Sequence, residues 1–261
     1  MNRILGVLMQ RKSIRAYEDR EIGEDVRAAI LQATLRAPTA GNMMLYSIIE
    51  VRDQSSKDIL VKSCDDQPFI ARAPLVWLFL ADYQRWYDYF LASGVKESCE
   101  QTGVPMRKPE EGDLFLACCD ALIAAQTAVI AAEALGVGSC YIGDIMESYK
   151  IHKDLFSLPK YTFPICMVCF GYPTKTQRER EQPKRFNEKF IVFEDRYRRL
   201  TEGDFVEMFE EMENRLRKIR EGSVGVATNV GQSMYGRKFA SGFSKEMSRS
   251  VRRILQEWTS E

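Results

Sequence analysis

The chain has a single histidine among its 261 residues and carries no net charge. Because His152 stands alone, a metal site built from several histidines is excluded, and a histidine-based triad would have to use that residue. Its setting, "YKIHKDLF", is typical of a helix surface. Basic and acidic residues number 37 each, so no overall field favours binding to nucleic acid or to an acidic membrane. Any anion site must therefore be local.

Other common sites are missing as well. The seven cysteines are odd in number and show no framework spacing, which indicates reduced thiols in a cytoplasmic protein. Cys166 and Cys169 would point to opposite faces of a predicted strand, and no second pair supports zinc or an iron–sulfur cluster. Neither GxxxxGK[ST] nor a correctly spaced GxGxxG is present. The sequence therefore favours the chemistry of an organic cofactor over hydrolysis and over metal catalysis.

The chain also lacks repeats, Gly/Ser linkers and low-complexity tracts. We therefore expect one domain over residues 1–261, with a C-terminal helical extension at about 203–261. The most apolar stretch, residues 114–135, has the length of a membrane span. Asp120, Gln126 and Glu133 interrupt it, so a helix buried in a core or in a subunit interface is the better interpretation.

Hydrophobic periodicity outlines the remaining elements. Apolar residues at helical spacing predict a helix over 26–37 that Pro38 ends, and two amphipathic helices near the C-terminus. Residues 94–112 show no assignable pattern. Strands are predicted at 45–53, 74–82 and 163–173, the last two of them buried, with a long helix at 113–134. This alternation of unequal helices and strands indicates an α+β sandwich with a central sheet.

The stretch "QRKSIRAY" places Arg11, Lys12 and Arg15 within five positions. In a helix Arg11 and Arg15 would repel each other, whereas in an extended segment Arg11, Ser13 and Arg15 would share one side. Either geometry gathers cations and a hydroxyl, as an anion site requires. A solvated basic turn, neutralised by the acidic residues close behind, remains the alternative.

Two further stretches fit a planar ligand with a phosphate tail. "APTAGNMM" (37–44) offers Thr39, Gly41 and Asn42 in a tight turn, and "GVGSCYIG" (136–143) offers glycines that let a flat ring approach the backbone. Taken singly, a β-turn and a helix C-cap explain these stretches equally well. Their combination with the basic stretch favours a ligand.

The order of "QRKSIRAYEDREI", "APTAGN", "ALGVGSCYIGDI" and "FPICMVCFGYP" resembles the nitroreductase family of FMN-dependent oxidoreductases, over residues of about 8–54 and 113–174. The resemblance implies a nitroreductase-like α+β fold, with a central mixed, mainly antiparallel sheet flanked by helices in a dimeric α-β-α sandwich. It implies a homodimer with FMN at its interface. Such an enzyme takes hydride from NADH or NADPH and delivers two electrons to a nitroaromatic, a quinone or a similar planar acceptor.

The family's phosphate site carries over onto matching positions. By similarity, Arg11, Lys12 and Ser13 would hold the phosphate and ribityl chain of FMN. A basic residue near the C-terminus usually completes such a site, and "YGRKF" offers Arg237 and Lys238. A phosphate monoester carries about −1.5 to −2 charge at neutral pH, and guanidinium groups suit its oxygens.

The flavin ring would meet a second set of residues. Arg15 would lie near its N1/O2 edge, where reduction leaves negative charge. In the family, one segment reaches the flavin of the partner subunit and another places backbone N–H groups beside N5. The matching residues here are Pro38, Thr39, Ala40 and Asn42 for the first segment, and Tyr141, Ile142 and Gly143 for the second. No side chain is assigned as an acid or base.

The resemblance leaves the acceptor open, because residues 43–46 read Met-Met-Leu-Tyr where many relatives have a polar residue and Pro-Trp. The same fold and FMN also serve flavin fragmentation and reductive dehalogenation. A third alternative is a non-enzymatic flavin-binding protein whose C-terminal helices dock a partner. The aromatic residues of 83–90 either cover the flavin or belong to a plain core or interface helix.

Overall fold

A computed structural model describes residues 2–220 and 227–260 of the chain. It divides into two compact units, one formed by Met1–Gln182 with Glu246–Glu261 and the other by Pro183–Lys245. Each unit is described by itself. The expectation of a single domain with a C-terminal extension stays a prediction.

The first unit is built on a sheet of four strands, counted over the described residues. These are β1 (Tyr46–Glu50), β2 (Leu75–Asp82), β3 (Gly138–Ile142) and β4 (Thr162–Gly171). Their order is β1-β2-β4-β3, and every neighbouring pair is antiparallel. A parallel component comes from the isolated bridge between Ser13 and Ser139. The predicted α+β fold with a mainly antiparallel sheet is therefore confirmed.

Proline chemistry explains the one irregularity of the central pair. The register of β2 against β4 shifts between Phe79 and Leu80, where Leu80 faces Pro164. Proline has no N–H to donate, so the ladder breaks there and one residue of β4 is left over. Cys166 and Cys169, farther along β4, belong to two different core clusters on the two faces of the sheet. Their predicted opposite orientation is confirmed.

The helices of the first unit flank this sheet. Their bounds are α1 (Arg3–Gln10), α2 (Glu24–Thr34), α3 (Gln54–Ser63), α4 (Phe69–Arg72), α5 (Gln84–Ala92), α6 (Val95–Thr102), α7 (Glu111–Ala134), α8 (Tyr149–Leu155) and α9 (Lys175–Glu179). The α2 helix ends three residues before its predicted end at 37, because the amides of Arg36 and Ala37 switch to bonds with Ala33 and Thr34. The unassigned segment holds α6, bounded by Gly94 and Gly103 at positive φ.

The α7 helix forms the centre of the core. Its alanines pack against β1, β2 and β4 and against α2. It is the one helix among the described residues that is long and apolar enough to cross a membrane, and 44% of the window that passes this test is buried inside the protein. Phe115, Leu122 and Ile123 are exposed on its opposite face. The expectation of a core helix is therefore confirmed, and the alternative of a subunit interface stays a prediction.

His152 is not on a surface, as its local sequence indicated. It is 0% exposed, with Nδ1 2.8 Å from the Ile145 carbonyl and Nε2 2.7 Å from the Ser63 hydroxyl. Burial lowers the pKa of its imidazole. The expectation was wrong because α3, distant in sequence, covers this side of α8.

The C-terminal helices have the predicted amphipathic character. In the second unit lie α10 (Glu202–Arg220) and α11 (Val230–Met234), followed by a π-helical turn over Tyr235–Phe239. The last helix, α12, spans Gly242–Thr259. Its Ile254 and Trp258 are fully buried, and the Trp258 indole donates to the Glu110 carbonyl at 3.1 Å.

Candidate functional site

The basic stretch is extended, which decides between the two geometries considered from the sequence. The α1 helix ends at Gln10, and Ser13 then bridges to Ser139 while the Ile14 amide donates to the Ser139 carbonyl at 2.8 Å. Ile14 is only 3% exposed. Alternation in an extended chain then sends residues 11, 13 and 15 to the side opposite Ile14.

Arg11 and Arg15 meet near one point on β3. Burial raises the pKa of the Cys140 thiol, and both guanidinium groups and the Ser13 hydroxyl lie close enough to act against that rise. Arg15 is exposed, whereas Arg11 is half-buried and its Nη1 is a buried atom with no hydrogen-bond partner. Two cations and a hydroxyl therefore gather without an anion of the protein bonded to the buried Arg11 nitrogen.

Two more buried polar atoms without partners lie beside this group. They are the Ser139 hydroxyl on β3 and Oε1 of Glu133 on α7. Burial raises the pKa of Glu133 to about 7, although the nearby charges of Arg11 and Lys12 lower it. A group that is buried and unpaired costs stability, so such a cluster needs a reason to persist.

Lys12 faces a different partner from its neighbours. Its ammonium donates to the carbonyls of Arg178, at 2.6 Å, and of Arg180. The Arg180 guanidinium in turn donates to the Ser13 carbonyl, and the Gln182 amide donates to the carbonyls of Met9 and Arg11 at 2.7 and 3.0 Å. The 178–182 segment therefore fastens the basic stretch in place.

Sequence reasoning missed this fastening segment. Its signal is the charged run "QRERE", which follows the "GYPT" that closes β4. A charged run of this kind is usually a solvated face, and nothing local indicates that its backbone carbonyls receive Lys12.

A buried carboxylate holds the 38–45 turn. Asp120 of α7 is 2% exposed and accepts hydrogen bonds from the Thr39 hydroxyl, from the Ala40 amide at 3.0 Å and from the Leu45 amide at 3.1 Å. The Thr39 hydroxyl also accepts from the Met44 amide at 2.8 Å. From the sequence alone, Asp120 was interpreted as an interruption of an apolar helix. Its hydrogen-bond partners lie about 80 positions away.

The turn itself is tight and open to solvent. Gly41 and Asn42 both have positive φ, 55° and 58°, which an asparagine tolerates better than most residues. Pro38 and Asn42 are exposed, and Ala40 is half-buried. Its polar groups that face solvent are the ones that a ligand could meet.

Residues 138–142 of the glycine-rich segment form the strand β3. Tyr141 and Ile142 belong to β3, paired with Val168 and Met167, and the chain turns only at Gly143. A Cβ at Gly143 would meet no atom within 4 Å. A Cβ at Gly138 would lie 2.6 Å from Cγ1 of Ile14. The fold therefore explains Gly138, whereas it leaves open space in front of Gly143.

The other predicted residues are placed as follows. Arg237 and Lys238 lie in the π-helical turn of the second unit, where both are exposed, and their assignment to a phosphate stays a prediction.

In the first unit, Trp86 donates its indole N–H to the Met43 carbonyl at 2.7 Å and packs with Tyr83 and Tyr87 on a core cluster. These contacts favour the core interpretation of the aromatic segment.

Comparison with known proteins gives a consistent family. Residues 8–172 match the Nitroreductase family model, described as "Nitroreductase family". The chain is 30% identical over 184 residues to an FMN reductase [NAD(P)H] of Bacillus subtilis (strain 168), covering 70% of each chain. It is 27% identical over 202 residues to an oxygen-insensitive NADPH nitroreductase of Salmonella typhimurium, covering 77% of this chain and 78% of that protein. The NADPH:FMN oxidoreductase of Vibrio harveyi, solved with NAD+, shares the fold with a TM-score of 0.76 at 22% identity, over 97% of this chain and 98% of that one.

Proposed function

This chain belongs to the nitroreductase family, and from that premise we propose that it is an FMN-dependent oxidoreductase that uses NAD(P)H. The observation that carries the proposal is the buried, unpartnered Nη1 of Arg11 beside the exposed Arg15. A flavin with a phosphate tail suits these donors, since a phosphate oxygen accepts charge-assisted hydrogen bonds from guanidinium groups. The residues present therefore fit the cofactor that the family implies.

Each part of the site has a role in holding that cofactor. Arg11 and Ser13 bind the phosphate, while Lys12 adds charge and ties the segment to residues 178–180. Pro38, Thr39, Ala40 and Asn42 form the turn that contacts the ring. Asp120 fixes this turn from beneath, so its shape does not depend on the ligand.

The ring end of the site combines a cation with open backbone. Bound FMN supplies a two-electron carrier between NAD(P)H and an acceptor. Arg15 offers positive charge at the ring edge on which negative charge develops, which stabilises the reduced form more than the oxidised form. The exposed Gly143, with no atom in front of its Cα, leaves the backbone beside Tyr141 and Ile142 approachable. No side chain is required as an acid or base, because solvent can supply the proton.

We extend the proposal to a homodimer. Exposed apolar side chains cover α1 and the outer face of α7, which pack against each other. They include Ile4, Leu5, Leu8, Met9, Phe115, Leu116, Leu122 and Ile123. An apolar patch of this extent is typical of a subunit interface. Two FMN sites would then share residues of both subunits through the 38–42 turn.

The acceptor is proposed as a planar, electron-poor molecule, a nitroaromatic or a quinone. Met43 and Met44 at the turn give the wall of the pocket an apolar character, which suits a flat aromatic compound. Products formed from a nitrofuran, a quinone and a halotyrosine by the NADPH-reduced protein distinguish this activity from reductive dehalogenation.

The proposal is tested first by the absorption spectrum of the purified protein after incubation with FMN and desalting. We expect a bound flavin that bleaches when NADPH is added under argon. A preparation that stays colourless contradicts the proposal. A flavin that binds but is not reduced at a useful rate supports the non-enzymatic alternative instead.

A double substitution of Arg11 and Arg15 to alanine tests the assignment of Arg11 to the phosphate together with that of Arg15 to the ring edge. Each charge-assisted hydrogen bond is worth about 1.5–3 kcal/mol, so we expect the Kd for FMN to rise at least about 100-fold. The control is Arg252→Ala, an exposed arginine on α12, which should leave the Kd unchanged. Full flavin occupancy in the double variant would mean that the phosphate lies elsewhere.

A further inference from the structure

Three of the five buried side-chain polar atoms that lack a partner in the described residues belong to one cluster. They are Nη1 of Arg11, Oε1 of Glu133 and Oγ of Ser139. These atoms come from three elements, namely the basic stretch, the last turn of α7 and the start of β3. A buried donor, a buried carboxylate oxygen and a buried hydroxyl in one place would ordinarily pair, and here they do not.

The groups that act on the charge of Glu133 come from the basic stretch and from β3. The basic stretch presents the charges of Arg11 and Lys12, which favour the ionised carboxylate, and β3 presents the Ser139 hydroxyl, which forms no hydrogen bond with it. Lys12 is committed to the carbonyls of Arg178 and Arg180. Arg11 is therefore the cation that can still change its partner, and no ion pair within 4.0 Å joins it to Glu133.

We propose that Glu133 is a positioning residue for Arg11, and that gain or loss of its proton sets how much of the Arg11 charge is free to bind the phosphate of FMN. This inference rests on the proposed function and deepens it by adding a pH control to the same site.

The sign of the effect follows from charge. Ionised Glu133 competes with the phosphate for Arg11, whereas neutral Glu133 leaves the guanidinium free. Bound phosphate brings negative charge near Glu133 and favours its protonated form. Burial already raises the pKa of Glu133 to about 7, so the carboxyl titrates within the physiological range. Binding of FMN should therefore take up a proton, and affinity should fall as pH rises above 7.

The phosphate of FMN does not mask this effect. A phosphate monoester loses its second proton near pH 6, and this loss strengthens its binding to arginine. Above pH 7 the ligand is essentially all dianion, so a decrease of affinity there comes from the protein. Riboflavin lacks the phosphate and should show no such decrease.

The experiment measures the Kd for FMN by flavin fluorescence from pH 6.5 to 8.5. For the native protein we expect the Kd to rise about 3- to 30-fold over this range, since one titrating group changes it by at most about tenfold per pH unit. Glu133→Gln keeps the shape and one acceptor oxygen but cannot ionise. Its Kd should vary by less than about twofold over the same range.

Glu147→Gln is the matched control. Glu147 is also a buried carboxyl with an unpartnered oxygen and a pKa raised to about 7, but it faces Asp144, Asp65 and Glu246 instead of Arg11. We expect its pH profile to follow that of the native protein. The inference is overturned if the Kd for FMN rises steeply with pH in Glu133→Gln, or if it stays constant with pH in both variants.

A measurement on the native protein covers the case in which Glu133→Gln does not fold. FMN is added at pH 7.5 in weak buffer, and proton uptake is recorded with a pH indicator, with riboflavin as the control. Proton uptake on binding of FMN but not of riboflavin supports the inference. Binding of FMN without proton uptake overturns it. Failure of the native protein to bind FMN at any pH overturns the proposed function and this inference together. If both proteins bind FMN and the Kd changes equally with pH in the native protein and in Glu133→Gln, the inference alone is overturned.

Discussion

The 38–45 turn and the 11–15 stretch are the two halves of the proposed cofactor site. Buried polar groups are hydrogen-bonded at the turn and lack partners at the basic stretch. The turn is held by Asp120, whose two carboxylate oxygens accept from Thr39, Ala40 and Leu45. The basic stretch lies beside Glu133 and Ser139, where buried polar atoms lack partners.

This difference fits the two proposed roles, a turn of fixed shape against the ring and a basic stretch with free donors for the phosphate. A fully satisfied buried network stabilises one geometry, whereas an unsatisfied one lowers stability and keeps donors free. The turn has its shape before any ligand arrives. The basic stretch has its backbone fixed by residues 178–182, yet keeps a guanidinium nitrogen unused. Preorganised backbone with free side-chain donors is the arrangement that favours tight binding of an anion.

The largest effect is expected from Asp120→Ala, which removes the satisfied side of this contrast. It leaves two amides and a hydroxyl without their acceptor, and each such loss costs about 1–3 kcal/mol. We expect the free energy of unfolding to fall by about 3–5 kcal/mol, measured by urea denaturation. Asp88→Ala, at an exposed aspartate on α5 that accepts one bond from Gln84, should change it by less than about 0.5 kcal/mol. Equal effects of the two substitutions would remove the distinction drawn above.

An intermediate loss of stability is expected from Gly138→Ala, and Gly143→Ala in the same segment is its comparison. In Gly138→Ala the new methyl would meet Cγ1 of Ile14 at 2.6 Å, so the basic stretch must shift, and we expect a loss of about 1–3 kcal/mol. Gly143 has negative φ, and a Cβ there would meet no atom within 4 Å. Gly143→Ala should therefore have the same free energy of unfolding as the native protein. Its FMN affinity should nevertheless fall, because the methyl occupies the space proposed for the ring. Unchanged affinity in Gly143→Ala would separate this glycine from the cofactor site.

The smallest effect is expected from Ser139→Ala. The Ser139 hydroxyl is fully buried and has no partner, so its removal takes away a polar group that burial penalises. We expect the free energy of unfolding to stay within about 0.5 kcal/mol or to rise slightly, in the same urea assay. A loss of 2 kcal/mol or more would mean that the hydroxyl has a partner and that the cluster is a satisfied network.

Local patterns were sufficient for much of this architecture. Apolar runs predicted the strands and α7, alternation predicted the opposite orientation of Cys166 and Cys169, and the 3.6-residue period predicted the amphipathic face of α12. The extended alternative for the basic stretch placed Arg11 and Arg15 on one side, as is observed. These features depend on neighbours within a few positions, which the sequence displays directly.

Features that depend on distant neighbours were not predictable. The burial of His152 comes from Ser63 on α3, the role of Asp120 from a turn about 80 residues before it, and the anchoring of Lys12 from carbonyls near position 180. In each case the local window is typical of a surface or of a helix interruption. Only the packing of separate elements decides which polar groups become buried together.

The tie between Lys12 and the carbonyl of Arg178 joins positions that are 166 residues apart. Loops of this length close slowly compared with helices and hairpins. During synthesis on a ribosome, Lys12 is made 166 residues before the carbonyl of Arg178 that anchors it. The proposed phosphate site would therefore form only after residues 178–180 have been made, and cofactor binding would not guide the folding of the residues that precede them.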